Sequence, residues 1–250
     1  MNPLLVTSLA VAGLAAGYGQ RAVIARYAVP AGERPRQGCP ACGHQITAGR
    51  WRLPPVSVPS GRCPACRQRT GPLPLAVEVI TAVLLAGLAA RVHPALVLAA
   101  ACWLAMCAVP LAFIDAAVHR LPDPLTAAAC AGTAALLVLA AADGGHWHDM
   151  ARAAFGGIAL TGFYLALVLI YPAGMGMGDV KAAASIGTLL AWPGWRLLIT
   201  GGVAGFLLAA IYGIALMISG RATRKHQIPF GPFMITGAFL VLLAWYPAGS

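Results

Sequence analysis

Residues 95–115 read ALVLAAACWLAMCAVPLAFID. Twenty uncharged residues precede an aspartate, and about 20 apolar residues are what a helix needs to cross the hydrocarbon core of a bilayer. The whole chain shares this character, because 60% of its 250 residues are hydrophobic and 10% are charged. The composition therefore predicts an all-α polytopic membrane protein. It excludes a soluble domain, a disordered tail, a disulfide-rich secreted module and an outer-membrane barrel.

The apolar stretches predict about eight transmembrane helices. A signal peptide is the rival interpretation of the first stretch, but its basic residues follow the apolar run instead of preceding it, which favours an uncleaved helix. Three regions result: a first transmembrane helix over 1–19, a cytoplasmic cysteine loop over 20–73 and a transmembrane bundle over 74–250. The predicted spans are residues 3–19, 74–90, 95–114, 124–142, 153–171, 180–192, 196–218 and 232–247.

The cationic residues indicate how the chain is oriented. Lys and Arg number seventeen against seven Asp and Glu, and cytoplasmic loops of membrane proteins collect such positive charges. With the N-terminus outside, fourteen of the seventeen fall on the cytoplasmic side. This predicts that both termini are outside and that the cysteine loop is cytoplasmic. The cytoplasmic set is Arg21, Arg26, Arg34, Arg36, Arg50, Arg52, Arg62, Arg67, Arg69, Arg120, Lys181, Arg221, Arg224 and Lys225, and the outer set is Arg91, Arg152 and Arg196.

Two CxxC motifs lie in the cysteine loop. They are Cys39-Pro-Ala-Cys42 and Cys63-Pro-Ala-Cys66, separated by twenty residues. Each CxxC turn can offer two thiolates to one metal ion, and two such turns side by side complete the tetrahedral Cys₄ site of a zinc ribbon. Four thiolates leave no open position for water, so we expect a structural zinc ion that stabilises the loop. Disulfides or a redox pair are the alternative, which a reducing cytoplasm disfavours.

The arginines around these cysteines raise the question of nucleic-acid binding. Trp51 is the only large aromatic ring near them, so stacking partners for bases are lacking. Anionic lipid headgroups are the favoured partner. We therefore expect the lipid bilayer, and no nucleic acid, among the partners of this loop.

Two aspartates lie at the ends of predicted spans. Asp115 ends the third span, and Asp179 ends the fifth in Gly176-Met-Gly178-Asp179-Val-Lys181. Ionisable residues at membrane depth are costly and are functional candidates by default. The predicted orientation places both aspartates at the cytoplasmic face, so they share a depth although 64 residues separate them.

A pair of facing carboxylates has chemistry that a single carboxylate lacks. Two like charges at close range cannot both stay ionised, so one carboxylate can take a proton from water while the other polarises a peptide carbonyl. This is the chemistry of aspartic proteases. Gly176 and Gly178 suit such a site because backbone without a Cβ admits an extended peptide. A simple role as turn residues in a loop explains them equally well. The structural alternatives are a helix-end anchor at Asp115 and an ion pair between Asp179 and Lys181.

Other ionisable residues are weaker candidates. Asp123 follows Pro122 directly before a predicted span, where a helix N-cap is the favoured interpretation. Glu78 lies near the start of the second span and is explained equally well as an interfacial anchor or as part of a site. His119 and His226 are interpreted as solvated loop residues.

Taken together, these motifs resemble the type IV prepilin peptidases, a family of GxGD aspartic membrane proteases with leader peptidase and N-methyltransferase activities. The resemblance runs over most of the chain and keeps the family's order. It rests on Arg36-Gln-Gly-Cys39-Pro-Ala-Cys42-Gly-His44, Gly61-Arg62-Cys63-Pro-Ala-Cys66, Pro74-Leu-Ala-Val-Glu78, Phe113-Ile-Asp115 through Leu121-Pro122-Asp123, Gly176-Met-Gly178-Asp179-Val-Lys181 and Ile228-Pro-Phe230-Gly-Pro232-Phe233.

The resemblance implies a bacterial cytoplasmic-membrane enzyme that cuts the short basic leader of a prepilin or pseudopilin on the cytoplasmic side, after a glycine. It implies that no metal takes part in cleavage. A second implied activity methylates the new N-terminal amine with S-adenosylmethionine. The implied catalytic pair is Asp115 and Asp179, and the implied supporting residues are Asp123, Gly176, Gly178, Lys181 and Glu78.

One stretch departs from the family pattern. The family usually has an Asn and a compact Arg-Leu-Pro motif after its first helix, where residues 17–30 of this chain read GYGQRAVIARYAVP. The departure lies in the half of the family associated with methyl transfer. Glu78 and the 20–73 loop are the expected region of contact with the methyl donor.

Two rival functions remain open. One is a presenilin-like protease without methylation, and the cysteine loop and the 228–233 segment favour the prepilin interpretation over it. The other is a zinc-ribbon transporter or adaptor with the aspartates as ion ligands. Transport sites are expected near the bilayer midplane and often in repeated halves, whereas the two aspartates here are predicted at one face.

Overall fold

The computed structural model describes residues 2–30, 32–45, 61–172, 175–220 and 228–246. Within these ranges the chain forms eight helices and two isolated bridges in the cysteine loop. The helices are α1 (Pro3–Tyr27), α2 (Ala76–Arg91), α3 (Ala95–Val118), α4 (Asp123–Gly144), α5 (Trp147–Ile170), α6 (Met177–Ala191), α7 (Trp195–Ile218) and α8 (Gly231–Trp245).

These helices follow the predicted apolar stretches, which confirms the all-α membrane architecture. The main differences are that α1 continues past the predicted end at residue 19 to Tyr27, and that α5 begins earlier, at Trp147. Five helices are long and apolar enough to cross a membrane, namely α1, α3, α4, α5 and α7. The other three are shorter, with 16 residues in α2 and 15 in each of α6 and α8.

Short sequence signals decide where several helices begin and end. The side chain of Asn2 accepts the backbone N–H of Leu4 at 3.1 Å, and Pro3 follows it as the first helical residue. An N-cap oxygen satisfies one of the free N–H groups of a first turn, where proline loses nothing. Gly145 ends α4 in a left-handed conformation with φ 72°, which glycine adopts without steric cost.

Successive helices pack in pairs around two central helices. The closest pairs are α1 with α2, α3 with α4, α5 with α6, and α7 with α8. Helix α3 also packs against α1, α2, α6 and α8, and α6 also packs against α3, α4, α7 and α8. Because α3 contains Asp115 and α6 contains Asp179, the fold puts both aspartates on helices enclosed by the rest of the bundle.

Two glycines let α1 and α2 pack with their backbones in contact. A Cβ added at Gly13 would lie 2.6 Å from the Cα of Ala82, and one at Gly17 would lie 2.4 Å from the Cα of Glu78. Real Cβ atoms do not come this close to a neighbouring backbone, so only glycine allows the contact. Glycines four residues apart share one helix face, as in the small-residue interfaces of membrane helices.

One end of the bundle, which we call the cysteine end, gathers the parts that concern function. Helices α1, α3, α5 and α7 end there, and the cysteine loop leaves from it. At the opposite end, Arg91 donates to the carbonyl of Ala244 at 2.8 Å, and the hydroxyl of Tyr246 donates to the carbonyl of His93. Seven residues with roles predicted above lie outside the described ranges: Arg50, Trp51, Arg52, Arg221, Arg224, Lys225 and His226.

Candidate functional site

Asp115 and Asp179 come from the two central helices at the cysteine end. Asp115 lies about one turn before α3 ends at Val118. The predicted position of Asp179 at the end of the fifth span is wrong, because Asp179 is the third residue of α6. A carboxylate in a first turn is favoured by the helix dipole. Asp179 Oδ2 also accepts the backbone N–H of Gly176 at 3.3 Å.

The two carboxylates meet at the first residue of α8. The backbone N–H of Gly231 donates to Asp115 Oδ2 at 3.1 Å. A Cβ built on Gly231 would lie 2.7 Å from Asp115 Oδ2 and 3.3 Å from Asp179 Oδ1, so the two oxygens are no farther apart than the sum of these distances. Each aspartate is only 4% exposed, and Asp179 Oδ1 has no hydrogen-bond partner in the described part of the chain. One water or peptide group can therefore reach both carboxylates.

A cavity of about 380 Å³ opens beside the two aspartates. Its walls are the end of α3, the connection to α4, the start of α6 and the segment leading into α8. The charged side chains in the lining have both signs. They are the acidic Asp115, Asp123 and Asp179 and the basic Arg120 and Lys181. A polar cavity at one end of an apolar bundle is suited to hold a short peptide segment next to the membrane surface.

The two glycines of the GxGD motif have different structural roles. A Cβ on Gly178 would lie 2.9 Å from the Cβ of Leu121, so glycine lets the connection between α3 and α4 close on α6. Gly176 has extended backbone with φ −83° and ψ 151°, and a Cβ there would meet nothing closer than 3.9 Å. Gly178 therefore holds the two aspartate-bearing segments together, while Gly176 borders the cavity.

Asp123 and Lys181 pair with each other at the rim of the cavity. Lys181 Nζ lies 2.6 Å from Asp123 Oδ1, and the two side chains are 49% and 74% exposed. The predicted N-cap role of Asp123 is wrong, because Pro122 occupies the N-cap position and Asp123 is the first residue of α4. The alternative pairing of Asp179 with Lys181 is also wrong. Lys181 connects α6 to the start of α4, whereas the carboxylate of Asp179 lies near that of Asp115.

Glu78 anchors α2 to α1. Arg21 Nη2 donates to Glu78 Oε2 at 3.0 Å while its Nε donates to Oε1, and both side chains are buried. The planar guanidinium matches a carboxylate in this two-bond geometry. Arg21 Nη2 also donates to the carbonyl of Leu73 at 2.6 Å, and Nη1 donates to that of Pro72 at 3.3 Å. Of the two interpretations left open for Glu78, the geometry favours the anchor, which ties the end of the cysteine loop to α1.

The four cysteines of the two CxxC motifs converge on one point. Their Sγ atoms all lie within 4.8 Å of one another, with 3.5 Å between Cys39 and Cys66 and 3.6 Å between Cys42 and Cys63. A tetrahedral zinc ion with Zn–S contacts of about 2.3 Å places its sulfurs about 3.8 Å apart. The cluster could therefore hold a metal ion. All four are free thiols, which does not support the disulfide alternative.

The backbone around the thiols suits metal binding. A hydrogen bond from the backbone of Ala41 lowers the pKa of the Cys39 thiol to about 7. Burial and hydrogen bonds with the neighbouring thiols raise the pKa of Cys42 to about 12 and that of Cys66 above its usual value, so the four thiols do not all ionise by themselves. In each motif the N–H of the first cysteine donates at 2.8 Å to the carbonyl five residues later. The residue after each motif has left-handed backbone, with φ 70° at Gly43 and φ 57° at Arg67. The same turn therefore occurs twice and points both thiol pairs to one place.

Gly231 and Arg120 help to shape the site, although the sequence did not predict a role in the site for either of them. Gly231 lies in the quoted 228–233 segment, and its position between Phe230 and Pro232 is the signal that could have marked it as a close contact. Arg120 donates to the carbonyl of Pro30 at 3.2 Å, which ties the start of the cysteine loop to the connection between α3 and α4. A contact across 90 residues leaves no local pattern in the sequence.

Comparisons with known proteins point to one family. Residues 97–218 match the type IV leader peptidase family. The chain is 32% identical over 219 residues to the prepilin leader peptidase/N-methyltransferase of Aeromonas hydrophila, which covers 84% of this chain and 71% of that protein. It is 30% identical over 223 residues to the protein of the same name from Burkholderia pseudomallei strain 1026b, which covers 85% and 68%. Leader peptidase HopD of Salmonella typhimurium is 34% identical over 91 residues, which are 36% of this chain and 56% of that protein.

The matched segment contains much of the site that the structure assembles, although Gly231 lies beyond its end. It includes both aspartates, the connection between α3 and α4, and the GxGD motif. The Aeromonas and Burkholderia alignments extend over most of the chain. No solved structure matches the chain. The resemblance read from the motifs is confirmed, and the chain belongs to the type IV leader peptidase family.

Proposed function

We propose that this chain is an aspartic endopeptidase that removes the leader peptide from type IV prepilins or pseudopilins. The proposal depends on one observation above all, the convergence of Asp115 and Asp179 on Gly231 beside a polar cavity. Two carboxylates at this separation have the chemistry for peptide hydrolysis. The substrate class comes from the relatives, which are named prepilin leader peptidases.

Asp115 and Asp179 are the catalytic pair in this proposal, and they hold one proton between them. The ionised member takes a proton from water as the water oxygen attacks the carbonyl carbon of the peptide bond. The protonated member gives its proton to the carbonyl oxygen. Collapse of the tetrahedral intermediate breaks the C–N bond and returns a proton to the leaving amine. The N–H groups of Gly231 and Gly176 orient the two carboxylates and leave Asp179 Oδ1 available for the shared proton.

Four further residues support the pair in this proposal. Gly178 lets the segment after α3 close on α6, and the ion pair between Asp123 and Lys181 links the start of α4 to the same helix. Both contacts hold the two aspartate-bearing segments at a fixed separation. Gly176 leaves open backbone at the cavity wall, where an extended leader peptide can lie.

We place the cysteine end at the cytoplasmic face of a bacterial inner membrane, with both termini outside. The support is the distribution of Lys and Arg along the sequence, with fourteen of seventeen on that side. The division into a first transmembrane helix, a cysteine loop and a bundle belongs to the same proposal.

In this orientation the leader peptide reaches the polar cavity from the cytoplasm. An apolar groove of about 520 Å³ lies between α2, α3 and α8, and its wall includes Ala116 and Pro232, which follow Asp115 and Gly231 in the sequence. We assign the groove to the lipid-embedded segment of the same substrate, because that segment must continue directly from the bond held at the carboxylates. A membrane-anchored prepilin would thus occupy the cavity and the groove together.

A structural zinc ion is the metal we propose for the four cysteines. The ion would cross-link the two CxxC turns and add its binding free energy to the folding of the loop. The loop is tied to the bundle at both ends, by Arg120 at Pro30 and by Arg21 at Pro72 and Leu73. Zinc therefore acts on the site through the position of these connections and takes no part in hydrolysis.

N-methylation of the new N-terminal residue with S-adenosylmethionine is the second proposed activity, and it is taken from the names of the relatives. In the stretch that departs from the family pattern, Gln20 Nε2 donates to the carbonyl of Met106 at 2.9 Å and its Oε1 accepts the hydroxyl of Thr81 at 2.7 Å. Both oxygens of Glu78 are occupied by Arg21. Gln20 and Glu78 thus serve the packing of α1, α2 and α3, and the geometry gives no support to methyl-donor contacts at Glu78.

The experiment that tests the function measures the intact mass of a prepilin after incubation with the purified chain in lipid vesicles. The variants are Asp115→Asn and Asp179→Asn, and the matched control is Asp143→Asn, an exposed acid near the other end of α4. We expect loss of the leader with the unmodified chain and with the control. We expect no cleavage with the two other variants, because an amide cannot exchange the shared proton. A further mass gain of one methyl group should appear when S-adenosylmethionine is added.

Each outcome separates the competing functions. Cleavage by either Asp115→Asn or Asp179→Asn contradicts the catalytic assignment. Leader loss without the methyl gain leaves a peptidase that does not methylate, as in the presenilin-like alternative. No cleavage of several prepilins by folded protein removes the peptidase proposal and favours the transporter alternative.

A further inference from the structure

Tyr164 is a buried polar residue that the proposed cleavage chemistry does not use. It lies on α5, its relative exposure is 0%, and its hydroxyl has no hydrogen-bond partner among the residues the structure describes. Buried tyrosine hydroxyls usually find a partner because an unpaired one costs free energy. Phenylalanine would fill the same space without that cost, so the hydroxyl itself requires an explanation.

An aromatic cluster holds the tyrosine ring next to the site. The ring of Tyr164 stacks on that of Phe206 with 5.7 Å between centroids and 11° between planes, and it lies 5.6 Å from the ring of Phe230. Phe230 lines the cavity and is followed directly by Gly231, whose backbone N–H donates to Asp115 Oδ2 and where an added Cβ would lie 3.3 Å from Asp179 Oδ1. The cluster therefore fixes the ring against the segment that meets the aspartates.

The register of α5 on α6 brings Tyr164 to the level of Asp179. The two helices are antiparallel, and one of their close backbone contacts joins Gly156 to Gly187, where a Cβ on Gly187 would lie 2.8 Å from the carbonyl oxygen of Gly156. Tyr164 lies eight residues after Gly156, and Asp179 lies eight residues before Gly187. Equal steps of about 12 Å along antiparallel helices lead to the same depth.

Two buried atoms at this depth need a partner, the Tyr164 hydroxyl and Asp179 Oδ1. We infer that one water bridges the two groups, accepting a hydrogen bond from the hydroxyl of Tyr164 and donating one to Asp179 Oδ1, and so orients this carboxylate for proton transfer. A water between two such groups forms bonds nearly as strong as direct ones. Tyr164 is then a positioning residue, because it acts through Asp179 and does not touch the substrate. The inference rests on the proposed peptidase function.

Tyr164→Phe tests the inference because it removes only the hydroxyl and keeps the ring in the cluster. We expect kcat for leader cleavage to fall about 10- to 100-fold, as for loss of a hydrogen bond to a charged group. KM should stay within about twofold, because substrate binding is unchanged. The matched control is Tyr246→Phe, which removes a buried hydroxyl bonded to His93 at the opposite end of the bundle. It should lower the thermal midpoint and leave kcat unchanged.

A second measurement does not depend on activity. The shift in thermal midpoint caused by Tyr164→Phe is measured in the unmodified chain and in an Asp179→Ala background. The hydrogen bond is supported if Tyr164→Phe shifts the midpoint of the unmodified chain but not that of the Asp179→Ala variant. Equal shifts of the midpoint in the two backgrounds overturn the inference. If the unmodified chain cleaves prepilin, an unchanged kcat in the Tyr164→Phe variant overturns it as well. If the unmodified chain does not cleave, the proposed function fails, and the comparison of midpoints alone decides the inference.

Discussion

Gly231→Ala adds one methyl group at the point where the two carboxylates meet. Gly231 is the first residue of α8, and alanine is compatible with helical backbone, so the change introduces no conformational strain of its own. The new Cβ would lie 2.7 Å from Asp115 Oδ2, 3.2 Å from its Cγ and 3.3 Å from Asp179 Oδ1. All three distances are shorter than the optimum of about 3.5 Å for non-bonded heavy atoms. The carboxylate of Asp115 must therefore move.

The size of the movement determines the expected loss of activity. Relief of the shortest contact displaces Asp115 Oδ2 by roughly 0.8 Å. A misplacement of about 1 Å in a reacting group costs on the order of 100-fold in rate. We therefore expect kcat/KM for leader cleavage to fall about 100-fold, which corresponds to about 2.7 kcal/mol of transition-state stabilisation. The cost in folding free energy should stay near the 1–3 kcal/mol or so typical of overpacking by one methyl group.

The assay is the rate of leader removal in vesicles, together with the thermal midpoint of each variant. Gly162→Ala in α5 is the matched control, because a Cβ at that position would meet nothing within 4 Å. We expect it to keep full activity. A folded Gly231→Ala variant with undiminished kcat/KM would refute the reasoning, since the methyl group could not then lie between the carboxylates.

Three further predictions concern the packing of α1 on α2 and the metal site. Gly17→Ala should destabilise the protein by about 1–3 kcal/mol, because its Cβ would lie 2.4 Å from the Cα of Glu78. Gly19→Ala meets nothing within 4 Å and should leave the thermal midpoint unchanged or raise it, because alanine is the better helix former. Equal midpoints in the two variants would contradict the contact at Gly17. Glu78→Gln leaves the buried charge of Arg21 without a counterion and should cost about 3–5 kcal/mol in unfolding experiments, and Arg21→Met combined with Glu78→Leu should recover much of this loss if the pair serves as an anchor. Elemental analysis should find one zinc per chain, released on acidification because protons compete for the thiolates, and zinc retained in the variant with Cys39→Ser and Cys63→Ser would contradict the Cys₄ site.

The sequence alone was enough to predict the class of fold and most of the chemistry. Apolar stretches predict membrane helices because the length and hydrophobicity of a segment decide by themselves whether it can cross a bilayer. The two CxxC motifs predict a common metal site because the two cysteines of each motif are close enough in the sequence to bind one metal ion from a single turn. The orientation and the catalytic roles remain predictions. The sequence also singled out Asp115 and Asp179, since few ionisable residues border the apolar stretches and each one is costly there.

Only the tertiary structure decided which side chains pair. Lys181 lies two residues from Asp179 in the sequence, yet its ion pair is with Asp123, because the start of α6 packs beside the start of α4. Glu78 pairs with Arg21 across 57 residues. Gly231 donates to Asp115 across 116 residues, at the point that Asp179 Oδ1 also approaches. Pairings of this kind depend on how helices dock. Docking is set by close backbone contacts at glycines such as Gly13 and Gly17, which local pattern and composition do not encode.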